Sequence, residues 1–165
     1  MTAPLPAPVP LSRLYTRPGF LLRRAHQISA AVFEDECKPV GLTPAQFGVL
    51  TILRANPGSD QSTLARSLGF DKVTVLRVLR VLESRNLVHR ATALDNRRNL
   101  SVCLTAEGER LLDQAQPPAE RAFRRLMAPL TGQQQEQLIA LLRQLTDGLE
   151  HEARAPFVPP VAPAP

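Results

Sequence analysis

The chain has 165 residues, 44% of them hydrophobic, which suffices for one domain with a real core and not for two large ones. Its formal charge of +5 suits a polyanionic partner, and its 2 cysteines, Cys37 and Cys103, argue against a disulfide-stapled secreted fold. No run of about 18 apolar residues could span a membrane, and the N-terminus lacks the basic start and apolar run of a signal peptide, so a cytoplasmic address without a membrane partner is expected.

Residues 1–11 carry Pro4, Pro6, Pro8 and Pro10, and residues 155–165 carry Pro156, Pro159, Pro160, Pro163 and Pro165. Proline this dense cannot continue a helix, so both ends are expected to be extended or disordered. Between them the apolar period is mostly helical. A first helix is predicted over Arg17–Lys38, with Leu21, Ala25, Ile28 and Val32 as one stripe, ended by Pro39 and Gly41. Thr43-Pro44-Ala45-Gln46 reads as a capping box with proline at the first helical position. A third helix starts near Asp60, buries Leu64, Ala65 and Leu68, and stops at Gly69. Asp71 caps a fourth, which runs to about Arg85 with Val75, Leu79 and Leu82 inward, and Asn86 ends it in the left-handed conformation.

Leu87–Thr92 and Leu100–Leu104 are predicted strands joined by a charged hairpin, Asp95-Asn96-Arg97-Arg98. Thr105 caps a fifth helix, which Pro117-Pro118 should break or sharply bend. Thr131-Gly132-Gln133-Gln134 opens a last one, with Leu138, Leu141, Leu142, Leu145 and Leu149 on one face, as if seeking a partner.

The order helix, turn, basic helix, hairpin is that of a helix-turn-helix followed by a wing, and a helix of this kind fills a DNA major groove. The fold class expected is therefore mainly α: a winged helix-turn-helix, residues 43–108, with a two-stranded wing. The segments 12–42 and 109–154 flank it as N- and C-terminal dimerisation helices. Lys72, Val73 and Thr74 lie in the first turn of the basic helix, Arg77 and Arg80 lie off its apolar stripe, and Gln61 and Ser62 open the helix before it. Thr74 can bond a base or touch a thymine methyl, Lys72 and Arg77 can bond guanine or phosphate, and Arg80 suits phosphate. Arg97 and Arg98 at the hairpin tip suit a minor groove, with Asp95 holding an arginine in that pose. A solvated basic face and an ordinary Asp/Asn turn are the plainer alternatives.

These residues, above all Leu82-Glu83-Ser84-Arg85-Asn86-Leu87-Val88-His89-Arg90, Asp95-Asn96-Arg97-Arg98 and Leu104-Thr105-Ala106-Glu107-Gly108, resemble the MarR (multiple antibiotic resistance regulator) family of winged-helix transcription factors over about Arg17–Leu149. That family usually has Gly where Asn86 stands here and a small polar residue at the position of Leu76. The resemblance implies a homodimer on a near-palindromic double-stranded operator, and favours repression. Tyr15 through Gln27, Leu42–Phe47 and Phe70–Thr74 are similar to a subgroup controlling breakdown of aromatic acids, the NicR/BpsR type of nicotinate-pathway repressor. It implies a small aromatic acid effector, 6-hydroxynicotinate first, held between the dimerisation helices and the DNA-binding lobe.

An aromatic carboxylate wants a cation, an imidazole or amide, and flat apolar walls. Arg23 and His26 on the first helix and Gln46 and Phe47 on the second are candidates, with Tyr15 nearby; a surface Arg23 and a structural His26 are the alternatives. A second reading is a redox sensor acting through Cys37. Glu34, Asp35 and Glu36, together with a helix C-terminus, would raise its thiol pKa and disfavour that role. His26, His89 and His151 are far apart in sequence and lack metal-ligand spacing, and there is no phosphate-binding glycine loop, so neither an enzyme nor a metal or other cofactor is expected.

Overall fold

Five helices open on a side chain that accepts the backbone N–H three residues on. They are α3 (Pro44–Ala55) on Thr43, α4 (Gln61–Leu68) on Asp60, α5 (Lys72–Ser84) on Asp71, α6 (Ala106–Met127) on Thr105 and α7 (Gly132–Leu149) on Thr131. Each cap satisfies a donor that the helix cannot use internally. The computed structural model describes residues 11–92 and 100–160. Before α3 come α1 (Leu11–Tyr15) and α2 (Pro18–Glu36); a short 3-10 turn, Glu150–Glu152, follows α7.

Strands β1 (Ser59–Asp60), β2 (Val88–Thr92) and β3 (Leu100–Leu104) form an antiparallel sheet in the order β1-β3-β2, with Val88 opposite Leu104 and Ser59 opposite Val102. The fold is mainly α, a winged helix-turn-helix. Left-handed residues make its tight junctions: Gly69 between α4 and α5, and Asn86, at φ 55°, between α5 and the wing.

The core lies under the helix-turn-helix. Leu50, Leu53, Leu64, Val75, Leu79, Leu82, Val102 and Leu112 are essentially inaccessible to solvent. Each such side chain contributes about 1.5–3 kcal/mol on burial. Arg85 extends this lobe by donating to the carbonyls of Gly41 (2.7 Å) and Val40 (3.2 Å), which fixes the end of α5 to the loop between α2 and α3.

Two expectations are corrected, and one strand was not foreseen. The proline pair does not interrupt α6, which is continuous from Ala106 to Met127 through Pro117 and Pro118. Proline's φ is itself helical, and the cost of about 3 kcal/mol for an interior proline lies in the lost hydrogen bond and the ring's clash. Packing on both sides outweighs it here: Leu112, Ala115, Pro118 and Ala122 are buried, and Arg121 and Arg125 pair with Glu36 and Asp35 of α2. Leu11, expected in an extended segment, begins α1. The strand β1 had no sequence signal, because two residues are too few to show a period.

The segment after Arg154 is not free over its first part. Phe157 N–H donates to Glu150 Oε1 (2.7 Å) and Val158 N–H to the Arg66 carbonyl (2.9 Å), so it lies across the end of α4. The expectations for residues 1–10 and 161–165 lie outside the described residues.

Candidate nucleic-acid interface

The stripe of α5 opposite its buried Val75, Leu79 and Leu82 decides what this lobe can meet. Val73, Arg77 and Arg80 lie on that outer face, all exposed, and Lys72 is exposed beside them. Spacings of four and three residues align the side chains on one face. The two arginines share it with an apolar side chain, Val73, that is 58% exposed.

The first turn of α5 is held rigidly. Asp71 Oδ1 accepts the Thr74 N–H (2.8 Å) and Asp71 Oδ2 accepts the Thr74 hydroxyl (2.8 Å). The Thr74 backbone bond, then its hydroxyl bond, keeps the Asp71 carboxyl below its ordinary pKa and so ionised at neutral pH. Gln61 Nε2 donates to the Lys72 carbonyl (2.9 Å), which ties the start of α4 to the start of α5. Ser62 is half-buried next to it. Thus Gln61 helps to position the first turn of α5.

The wing leaves this lobe on a defined base. Arg90 of β2 donates through Nε to Glu83 Oε1 (2.5 Å) and through a terminal nitrogen to Glu83 Oε2 (3.3 Å), a two-pronged pair joining α5 to the wing. Thr105 Oγ1 donates to the Asn86 carbonyl (2.7 Å), so the cap of α6 also fastens the wing's start. The sequence reading missed the Glu83–Arg90 pair. Its only signal is opposite charge seven residues apart, which has no fixed meaning when a left-handed turn intervenes. Asp95, Arg97 and Arg98, the expected tip, lie outside the described residues.

The candidate effector residues fall into two groups. Tyr15 stands edge-on to Phe20 with ring centroids 5.3 Å apart, and the Arg23 guanidinium lies 5.1 Å from the Phe20 centroid while donating to Gln27 Oε1. Phe47 packs on Phe33, with centroids 5.5 Å apart. Gln46 is buried and its carbonyl oxygen closes the capping box on Thr43 N–H. His26 is exposed, on the face of α2 between the two groups by sequence position. Among the described residues no hydrogen bond or ring contact joins Arg23 or His26 to Gln46 or Phe47.

Cys37 is fully buried, and burial, with Glu36 adding to it against Arg121, pushes its thiol pKa up. A thiol so placed is a poor nucleophile. Among the described residues no cluster of three metal-ligating side chains occurs and no helix is long and apolar enough to cross a membrane.

A sequence model described as MarR family matches residues 42–100. The chain is 32% identical over 133 residues to the HTH-type transcriptional repressor NicR of Pseudomonas putida, covering 81% of this chain and 84% of that protein. Among solved structures it is similar to the transcriptional repressor CouR bound to a 23-mer DNA duplex, at 32% identity and a TM-score of 0.76 over 85% of this chain and 99% of that one. It is also similar to BpsR of Bordetella bronchiseptica, whose DNA binding is regulated by 6-hydroxynicotinic acid, at 29% identity and a TM-score of 0.78 over 86% of this chain and 99% of that one.

Proposed function

This chain belongs to the MarR family of DNA-binding transcriptional regulators, and we propose that it is a repressor that acts as a two-fold dimer and is released from its operator by a small aromatic acid. The observation that carries the DNA reading is the outer stripe of α5, where Arg77 and Arg80 stand exposed beside a rigidly capped first turn. Lys72, Val73, Thr74 and Arg77 address bases, with Arg80 on phosphate and Gln61 and Ser62 at the edge. Arg97 and Arg98, with Asp95 as their support, reach a minor groove.

The dimer reading is supported by helices that bury nothing of their own. Neither α2 nor α7 contains a buried residue, and Leu21, Leu22 and Ile28 of α2 and Leu138, Leu141, Leu142, Leu145 and Leu149 of α7 are all exposed. An apolar face of this extent marks an interface. Segments 12–42 and 109–154 then join two copies and 43–108 reads DNA, with half-site centres about one helical turn, 34–36 Å, apart. Sedimentation at micromolar concentration is expected to give a dimer; a monomer, or a footprint over a single half-site, would overturn this.

The effector reading is supported by the likeness to BpsR, by the Arg23 guanidinium over the Phe20 ring beside Tyr15, and by the ring pair Phe33 with Phe47. The acid's carboxylate pairs with Arg23 or His26, and its ring lies toward Phe47 and Gln46. The test is titration of 6-hydroxynicotinate, nicotinate and benzoate into a complex with an operator recovered by selection from random duplexes. Coupling of about 1–3 kcal/mol would lower DNA affinity roughly 5- to 150-fold, and DNA must weaken the acid by the same factor. If no acid alters DNA affinity, the effector reading fails. If release occurs unchanged in Arg23→Ala and His26→Ala, the pocket assignment fails instead.

A further inference from the structure

We infer that the first turn of α5 reads an A·T base pair in the major groove, with Val73 packed on the thymine methyl and Thr74 Oγ1 accepting from the adenine amino group. The inference rests on the placement of α5 in the major groove and goes beyond it to the base pair that the helix selects.

A threonine hydroxyl has a single hydrogen to donate and two lone pairs to offer. In this chain that hydrogen is committed to Asp71 Oδ2 at 2.8 Å. The commitment is durable, because the same carboxylate accepts the Thr74 N–H at its other oxygen and is held in its ionised form. Thr74 therefore presents an acceptor alone. The major-groove edge of guanine shows only the acceptors N7 and O6, so Thr74 has nothing to give it. Adenine N6 and cytosine N4 carry the donors that Thr74 can use.

Val73 separates those two. It is the residue just before Thr74, it is 58% exposed, and it lies on the same face as Arg77. An apolar side chain left in water on the reading face gains by covering apolar surface on the base edges, and only thymine offers a methyl there. An A·T pair carries both marks, the amino donor and the methyl. A G·C pair carries a donor on cytosine and no methyl. Lys72 and Arg77 on either side suit guanine or phosphate at neighbouring positions, so the A·T pair is left to Val73 and Thr74.

The experiment is parallel selection from a random duplex library with the full-length protein and with Val73→Ala, an exposed position where truncation leaves the core intact. The native protein is expected to enrich a two-fold motif with A·T at one symmetric position that Val73→Ala no longer prefers. In the enriched duplex, deoxyuridine for thymidine at that position should weaken native binding about fourfold per half-site, the worth of one buried methyl group. Purine for adenine should weaken it about fivefold, the worth of one neutral hydrogen bond. Val73→Ala should not distinguish uracil from thymine, and Thr74→Val, which keeps the shape and the Asp71 backbone bond, should not distinguish purine from adenine. If the native protein enriches a motif but Val73→Ala enriches the same one, or if the lost position is G·C, this inference is overturned while the DNA reading stands. Enrichment of no motif overturns both.

Discussion

The carbonyl oxygen of Leu87 lies 2.1 Å from where a Cβ on Gly108 would stand, so the second residue of the wing's base and the first turn of α6 touch backbone to backbone. That carbonyl also accepts the Thr105 N–H at 3.1 Å, so it cannot swing aside without breaking the junction. Gly108→Ala should therefore cost about 1–3 kcal/mol or more by overpacking. It should lower the urea midpoint with an unchanged slope, and weaken operator binding by shifting the wing. An unaltered midpoint would show that the approach is not limiting.

The Glu83–Arg90 pair ties the first wing strand to α5. The side chains are 30% and 26% exposed, so the pair is only partly screened. A double-mutant cycle with Glu83→Ala and Arg90→Ala should give a coupling of about 1 kcal/mol in stability. Arg90→Ala should also reduce operator affinity in a way that Glu83→Ala reproduces and the double mutant does not deepen. Additive effects on DNA binding would separate the two residues.

Both caps of the helix-turn-helix are aspartates with carboxyls below their ordinary pKa of 3.8, Asp60 chiefly through the Thr63 N–H and Asp71 chiefly through the Thr74 N–H. A lowered folded-state pKa means that the stabilisation is fully present above the ordinary value and is lost as pH falls through the lowered one. Unfolding followed from about pH 6 to pH 2 should therefore show stability declining below about pH 4. Asp60→Asn, which keeps a capping oxygen, should flatten part of that decline, whereas Asp60→Ala should cost about 1 kcal/mol at neutral pH. An acid limb identical in Asp60→Asn and the native protein would mean that other carboxylates govern it.

Cys37 and Cys103 differ in access, the first buried and the second half-exposed. Alkylation by iodoacetamide at about pH 8, read by mass spectrometry, should label Cys103 well before Cys37, which should react only through opening of the fold. Labelling of Cys37 at the rate of an unfolded peptide would restore the redox-sensor reading.

The segment from Ala153 to Val158 bridges the end of α7 and the turn of the helix-turn-helix, with the Phe157 side chain reaching within 3.9 Å of a Cβ built on Gly69. Truncation after Arg154 should speed hydrogen exchange at the Gly69 and Phe70 amides while leaving α3 and α6 unchanged. Equal exchange in both forms would mean that this segment contributes nothing to holding the turn.

Features settled within a turn of chain were legible in the sequence. Thr43, Asp71, Thr105 and Thr131 each cap a helix by a bond spanning three residues, and Asn86 takes the left-handed conformation its side chain tolerates. Their partners lie so close in sequence that spacing alone places them. The apolar stripe of α5 did the same for the orientation of that helix, since Val75, Leu79 and Leu82 can be buried together on only one face.

What needed the tertiary structure is what depends on segments far apart in the chain. Pro117 and Pro118 read as a break, because what holds α6 straight is tertiary: Leu112, Ala115, Pro118 and Ala122 are buried, and Arg121 and Arg125 meet Glu36 and Asp35 of α2, more than 80 residues earlier. The Glu83–Arg90 bridge depends on the turn between helix and strand, and the docking of Val158 on Arg66 joins residues with no common motif. The candidate effector residues parted into two groups because helical spacing fixes a face and not its neighbour. Tyr15 and Arg23 gather on Phe20, while Phe47 finds Phe33. Periodicity determines which side of a helix is buried; only the packed chain determines what lies against it.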